Sequence, residues 1–279
     1  MSAWVLLRGL TRESGHWGAF TSLLQRRDPG ARIVALDLPG NGAFHEQASP
    51  ARVETMSQWC REHLRSQGIA PPYRLLAMSM GAMVAVDWAA RAPRELAGCV
   101  LINTSLRPFN PWYRRLRPAN YAALLALALT PEAWGGHERT ILRLTSRHPA
   151  AAAAVLEDWT HLRKVRPVSS ANALRQLLAA ARYRAPATPP AVPLLVLASQ
   201  RDRLVDARCS QELARRWRAE IAVHPSAGHD LTLDDATWVV DRIGLWAPAR
   251  PLGTGPGAAP ALTPTHELPT CPQPCPPLR

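Results

Sequence analysis

Short apolar runs recur along the chain at residues 3–7, 32–36, 74–78, 98–103, 194–198 and 220–223, and several are apolar at nearly every position. Strands buried on one face alternate apolar with polar residues, whereas continuous runs are expected where helices cover both faces of a sheet. Between the runs, apolar residues recur three and four apart, which predicts helices near 16–26, 50–66, Met80–Arg91, 207–218 and 231–245. Strand and helix in alternation, joined by right-handed crossovers, predict an α/β fold with a doubly wound, mostly parallel sheet of about six strands.

The alternation stops between residues 106 and 190. No strand pattern appears there, and helical segments at 111–129, 131–146, Pro149–Val165 and 169–183 follow one another. Three open with proline, whose missing N–H is harmless in a first helical turn. This stretch, rich in arginine and carrying Trp112, Tyr113, Tyr121, Trp134 and Trp159, predicts a helical cap set into a core made of residues 1–105 and 191–247. Residues 248–279 are dominated by Pro, Gly, Ala and Thr without any hydrophobic period. Such a segment buries too little apolar surface to offset chain entropy, so a disordered tail is expected.

Composition narrows the function classes. With 47% hydrophobic and 19% charged residues over 279 positions, a fibrous or wholly disordered protein is excluded. No apolar run approaches the roughly 20 residues of a membrane span, so no stable membrane insertion is expected. Lys+Arg 33 against Asp+Glu 21 gives a net charge of +12, and every basic residue except Lys164 is arginine. A basic excess suits an acidic partner. Without an Arg/Lys block, however, charge scattered over a solvated surface is the favoured reading and nucleic-acid binding is not expected. The five cysteines, Cys60, Cys99, Cys209, Cys271 and Cys275, are odd in number and widely spaced, unlike a disulfide framework. Cys99 lies in an apolar run and reads as a buried small hydrophobe; Cys271 and Cys275 lack the further ligands of a zinc site. No metal or cofactor is therefore expected. The N-terminal residues carry neither a basic n-region nor an apolar stretch of signal-peptide length, which points to a cytoplasmic protein.

Four segments carry candidate chemistry. In Leu75-Leu76-Ala77-Met78-Ser79-Met80-Gly81, a strand runs through a small-x-Ser-x-Gly turn into a helix. That arrangement lifts a serine hydroxyl above a sheet and sets it at a helix N-terminus; a serine in an ordinary left-handed turn is the simpler alternative. Asp202 follows the strand at 194–198, where a carboxylate can orient an imidazole. Asp206 precedes the next helix and suits an N-cap instead. Gly228-His229 lies just after the last strand, with the glycine letting the backbone bend. Ser79, Asp202 and His229 thus each follow a strand, at the sheet edge where open α/β folds bind ligands. Finally, Arg8-Gly9-Leu10 follows the first strand and can present the Leu10 N–H beside that of Met80, as two donors to an oxyanion.

These segments, with the Asp37-Leu38-Pro39-Gly40-Asn41-Gly42 turn, resemble the α/β-hydrolase-fold superfamily over about residues 3–246. The resemblance implies a serine hydrolase with Ser79 as nucleophile, His229 as general base and acid, Asp202 as orienting acid, and the Leu10 and Met80 amides as oxyanion hole. Two departures stand out. Arg8-Gly9 replaces the family's usual His-Gly, so Arg8 either borders the substrate together with Gly9 or forms a structural salt bridge. The family's usual first hairpin is not expected, which trims the sheet to about six strands and leaves an edge open to cover by another element. The chain looks most similar to small carboxylesterases, some of which demethylate acyl esters held on a carrier protein. This implies a small acyl ester as substrate, and the arginine-rich cap would suit an acidic acyl-carrier protein as partner. The alternative is a non-catalytic member of the fold that acts by binding.

Overall fold

The computed structural model describes residues 3–129 and 136–246. Six strands form one sheet: β1 (Ala3–Leu7), β2 (Arg32–Leu36), β3 (Tyr73–Met78), β4 (Leu96–Ile102), β5 (Leu194–Ser199) and β6 (Glu220–His224). Their order is β2-β1-β3-β4-β5-β6, and every neighbouring pair is parallel.

Because strand side chains alternate between faces, each central strand feeds two cores. Val5, Leu7, Leu75, Ala77, Cys99, Leu101 and Val196 point to one face, where α2 (Val53–Ser66), α3 (Met80–Arg91) and α9 (Arg208–Trp217) pack. Trp4, Leu6, Leu76, Met78, Val100, Ile102, Leu195 and Leu197 point to the other, against α1 (Phe20–Arg27) and α11 (Ala236–Leu245). Double-sided burial explains the unbroken apolar runs at β1, β3, β4 and β5. The edge strands β2 and β6 are more exposed. Cys60, Cys99 and Cys209 are free and buried, and burial pushes the Cys209 thiol up to about 12.

Several helices are shorter than their hydrophobic period predicts. The segment at 16–26 divides into a 3-10 turn, Ser14–Trp17, and α1, because Gly18 sits at φ +49° between them. The 231–245 segment becomes α10 (Leu231–Asp234) and α11, separated by Asp235, whose carboxylate accepts the Trp238 N–H.

Between β4 and β5 the described residues form α4 (Trp112–Arg115), α5 (Tyr121–Leu129), α6 (His137–Thr145), α7 (Pro149–Val165) and α8 (Ser170–Arg182). The 111–129 segment is thus not one helix. Pro118 cannot supply the N–H that a continuous helix requires and instead opens a 3-10 turn, Pro118–Asn120. The expected disordered tail and the start of the 131–146 segment lie outside the described residues. Among the described residues, no helix is long and apolar enough to cross a membrane.

Candidate active site

Ser79 stands between β3 and α3 with φ +55° and ψ −118°, a conformation that non-glycine residues rarely adopt. Its backbone N–H is held by Ile102 O at 2.9 Å. Gly81 is required by close approach: a Cβ there would lie 2.5 Å from Leu7 O and 2.6 Å from Arg8 O. Ala77, by contrast, tolerates its methyl group, fully buried in the strand ladder. The end of β1 therefore presses against the first turn of α3. Gly9, two residues past β1, faces Ser79 so closely that a Cβ would sit 3.0 Å from Ser79 Cβ and 3.4 Å from Oγ. Leu10 follows Gly9, and Met80 is the first residue of α3.

Asp202 and His229 meet directly. Asp202 Oδ1 accepts the Leu204 and Val205 N–H groups at 2.7 and 2.9 Å, which aims Oδ2 at His229 Nδ1, 2.7 Å away. Both residues are buried. A carboxylate only accepts, so the neutral imidazole keeps its proton on Nδ1 and leaves Nε2 free as a base. Burial pulls the His229 pKa down, but the charge and hydrogen bond of Asp202, helped by Asp230, outweigh it and raise it from its ordinary value. Asp206 points elsewhere, pairing with Arg208 at 2.8 Å and accepting the Arg208 N–H at 3.0 Å.

Gly228 does not adopt a positive φ, so bending is not what selects it. A Cβ at Gly228 would lie 2.5 Å from Thr145 O, at the end of α6. The histidine loop is seated on that helix end, with Asp230 N–H donating to Thr145 O at 2.8 Å and Ser146 Oγ to Asp234 at 2.5 Å.

Sequence reasoning missed Asn103. This residue, buried at φ +45° just after β4, donates through Nδ2 to His229 O at 2.8 Å and accepts the Ser199 N–H at 2.8 Å. Its neighbour Thr104 donates to Ser79 O at 3.0 Å. One dipeptide thereby ties together the serine turn, the end of β5 and the histidine loop. The available signal was an asparagine directly after an apolar run, since asparagine tolerates positive φ better than most residues. No hydrogen bond joins Ser79 Oγ to the imidazole among the described residues.

Arg8 is buried in an ion pair. It reaches Asp230 through two hydrogen bonds of 2.5 and 3.3 Å, also meets Thr232 Oγ1 at 3.3 Å, and lies 4.8 Å from the Trp17 ring centroid. Burial pushes the Asp230 carboxyl up, but Arg8 more than offsets this and holds it below its ordinary value. Arg12 makes a second buried contact, 2.7 Å from Glu138, which Arg163 also meets at 2.7 Å. Arg12 lies 4.4 Å from the Trp159 ring centroid. His16, edge-on to the same ring, has its pKa driven well below the usual range by burial and by Arg12 and Arg8. Asp37 accepts the Ser14 and Ala43 N–H groups at 2.5 and 2.9 Å, consistent with a structural turn at 37–42.

A family model described as serine aminopeptidase, S33, matches residues 2–236. None of the curated proteins matches the sequence. Among solved structures, a thermophilic esterase from Thermogutta terrifontis is 21% identical, covering 88% of this chain and 89% of its own, with a TM-score of 0.69. A hydrolase from Pseudomonas aeruginosa is 19% identical over 88% of this chain and 90% of its own, with the same TM-score of 0.69. An esterase from Rhodococcus sp. is 20% identical over 87% and 88%, with a TM-score of 0.66. At these identities the likeness speaks for the fold.

Proposed function

We propose that this chain, which belongs to the S33 serine aminopeptidase family of α/β-hydrolases, cleaves a small carboxylic ester or related acyl substrate through Ser79, His229 and Asp202. The observation that carries the proposal is the buried His229 Nδ1···Asp202 Oδ2 contact of 2.7 Å, at the same sheet edge as a serine on a strained strand-to-helix turn. With its Nδ1 proton held, His229 Nε2 takes the Ser79 hydroxyl proton as Oγ attacks the carbonyl carbon. The carbonyl π electrons move to oxygen, and the Leu10 and Met80 N–H groups receive the resulting oxyanion. Imidazolium then returns the proton to the departing alkoxide, leaving an acyl-enzyme. Water, deprotonated by the same Nε2, releases the acid and restores Ser79. In this reading the helices between β4 and β5, within residues 106–190, act as a cap over the sheet edge.

Arg8 is spoken for by Asp230, so its contribution is to hold the loop beside Gly9 rather than to bind a substrate carboxylate. In the insertion, Arg115 donates to Ala180 O, while Arg117, Arg163 and Arg166 pair with Asp206, Glu138 and Glu13.

A fluorophosphonate probe tests the proposal. Labelling of the wild type, absent in Ser79→Ala, is expected, together with turnover of p-nitrophenyl or methyl esters. An aminoacyl p-nitroanilide in the same panel tests the peptide cleavage that the family's description names. Equal labelling of both proteins, or no turnover by a labelled wild type, would overturn the ester reading.

A further inference from the structure

Residues 9–12 form a short loop in which each peptide plane has a defined partner. Arg12 N–H donates to Gly9 O at 3.2 Å. In a trans peptide the carbonyl and the following N–H point in opposite directions, so this bond aims the Leu10 N–H away from Gly9 O. The next plane is held by Gln176 of α8, whose Oε1 accepts the Thr11 N–H at 2.8 Å. Thr11 itself sits at φ +56°, a conformation that reverts unless something over-determines it. Gln176 Nε2 donates to Asn41 Oδ1 at 2.8 Å, and Asn41 Nδ2 donates to Arg12 O at 3.0 Å. Gln176 and Asn41 are both fully buried.

This relay has one consistent direction. It begins at a backbone N–H, which can only donate, and ends at a backbone carbonyl, which can only accept, so both side-chain amides are fixed in orientation. No water is needed to complete it, and no other hydrogen bond of Gln176 competes with it among the described residues.

We propose that Gln176 is a positioning residue for the oxyanion hole: through Thr11 and Asn41 it holds the Gly9–Arg12 loop so that the Leu10 N–H faces the carbonyl oxygen at Ser79. The inference rests on the reading of Ser79 as nucleophile. It places part of the catalytic geometry on a helix of the insertion. A glutamine in the middle of an amphipathic helix otherwise resembles a solvated surface residue, and nothing in its sequence context distinguishes it.

The test uses the full-length protein with active sites counted by fluorophosphonate titration. Gln176→Leu keeps the volume but removes the acceptor from Thr11. Its kcat on p-nitrophenyl butyrate is expected to fall by about 10- to 100-fold with KM changed by less than about threefold, since a misplaced donor acts on the transition state. The Ki of a trifluoromethyl ketone, whose tetrahedral adduct presents an oxyanion, is expected to rise in parallel. A role in stability alone would lower the titrated fraction or the melting temperature and leave kcat and Ki per site unmoved. Gln176→Glu keeps an acceptor for Thr11 and is expected to recover part of the loss. Should Gln176→Leu not fold, Gln176→Asn, one methylene short of Thr11, is expected to show the same changes in smaller degree. Unchanged kcat and Ki in a folded variant, with Ser79→Ala inactive, would overturn the positioning role alone. Wild-type activity in Ser79→Ala would overturn the serine mechanism and this inference with it.

Discussion

At the scale of single residues, the pair His229–Asp202 sets the expected pH response. In the proposed mechanism His229 works as a base in its neutral form, and its raised pKa means that this form accumulates at higher pH than for an ordinary histidine, about 6.5. The kcat/KM profile is therefore expected to rise with an apparent pKa above that value. Asp202→Asn removes the charge that raises it, so the rising limb should move to lower pH while the maximum rate drops roughly 10³–10⁴-fold. A limb that stayed in place in the variant would separate the titrating group from Asp202. The placement of Ser79, Asp202 and His229 beyond the ends of β3, β5 and β6 was legible because each follows an apolar run. Asn103 and Gln176 were not legible. Each acts by bonding to groups more than 90 residues away in the chain, and no local pattern encodes such a partner.

At the scale of elements, packing decides which glycines are required. Gly81 brings α3 against the end of β1, and Gly228 brings the histidine loop against α6. An added methyl at either position meets backbone oxygen, which cannot rotate away as a side chain would. Gly81→Ala and Gly228→Ala are each expected to destabilise the fold by about 1–3 kcal/mol, measured by denaturant unfolding. Gly228→Ala should in addition lower kcat, because relief of the clash displaces His229. Gly18→Ala meets no neighbour within 4 Å of a Cβ, so its expected cost of about 1–3 kcal/mol is backbone strain alone, at φ +49° and ψ −135°. The hydrophobic period located the helices but not their interruptions. Gly18, Pro118 and Asp235 break helices through φ, a missing N–H and a carboxylate cap, effects to which an apolar repeat is blind.

At the scale of the molecule, the buried contact of Glu138 with Arg12 and Arg163 joins the loop after β1 to α6 and α7. Burial alone would raise the Glu138 pKa, but the two arginines outweigh it and the value is lowered. The stabilisation is accordingly complete above the unfolded carboxylate value of about 4.3, and it fades as the pH falls through the lower folded value. Glu138→Ala deprives the buried Arg12 of its carboxylate and is expected to cost about 3–5 kcal/mol, read as a lowered unfolding midpoint near neutral pH. A loss below about 0.5 kcal/mol would show that water replaces the carboxylate there. The succession of strands and helices could be read from the apolar pattern. The coupling between insertion and sheet could not, because it runs through scattered polar residues.

The seat of Gly228 and Asp230 on Thr145 has a consequence for grafting. An insertion between two strands would ordinarily be expected to be exchangeable, yet here it supplies the ledge on which the histidine loop rests. Transplanting the helices of a relative into this scaffold would bring a foreign contour to that ledge. Hybrids of this kind should turn over substrate only when the graft also reproduces a carbonyl at the height of Thr145.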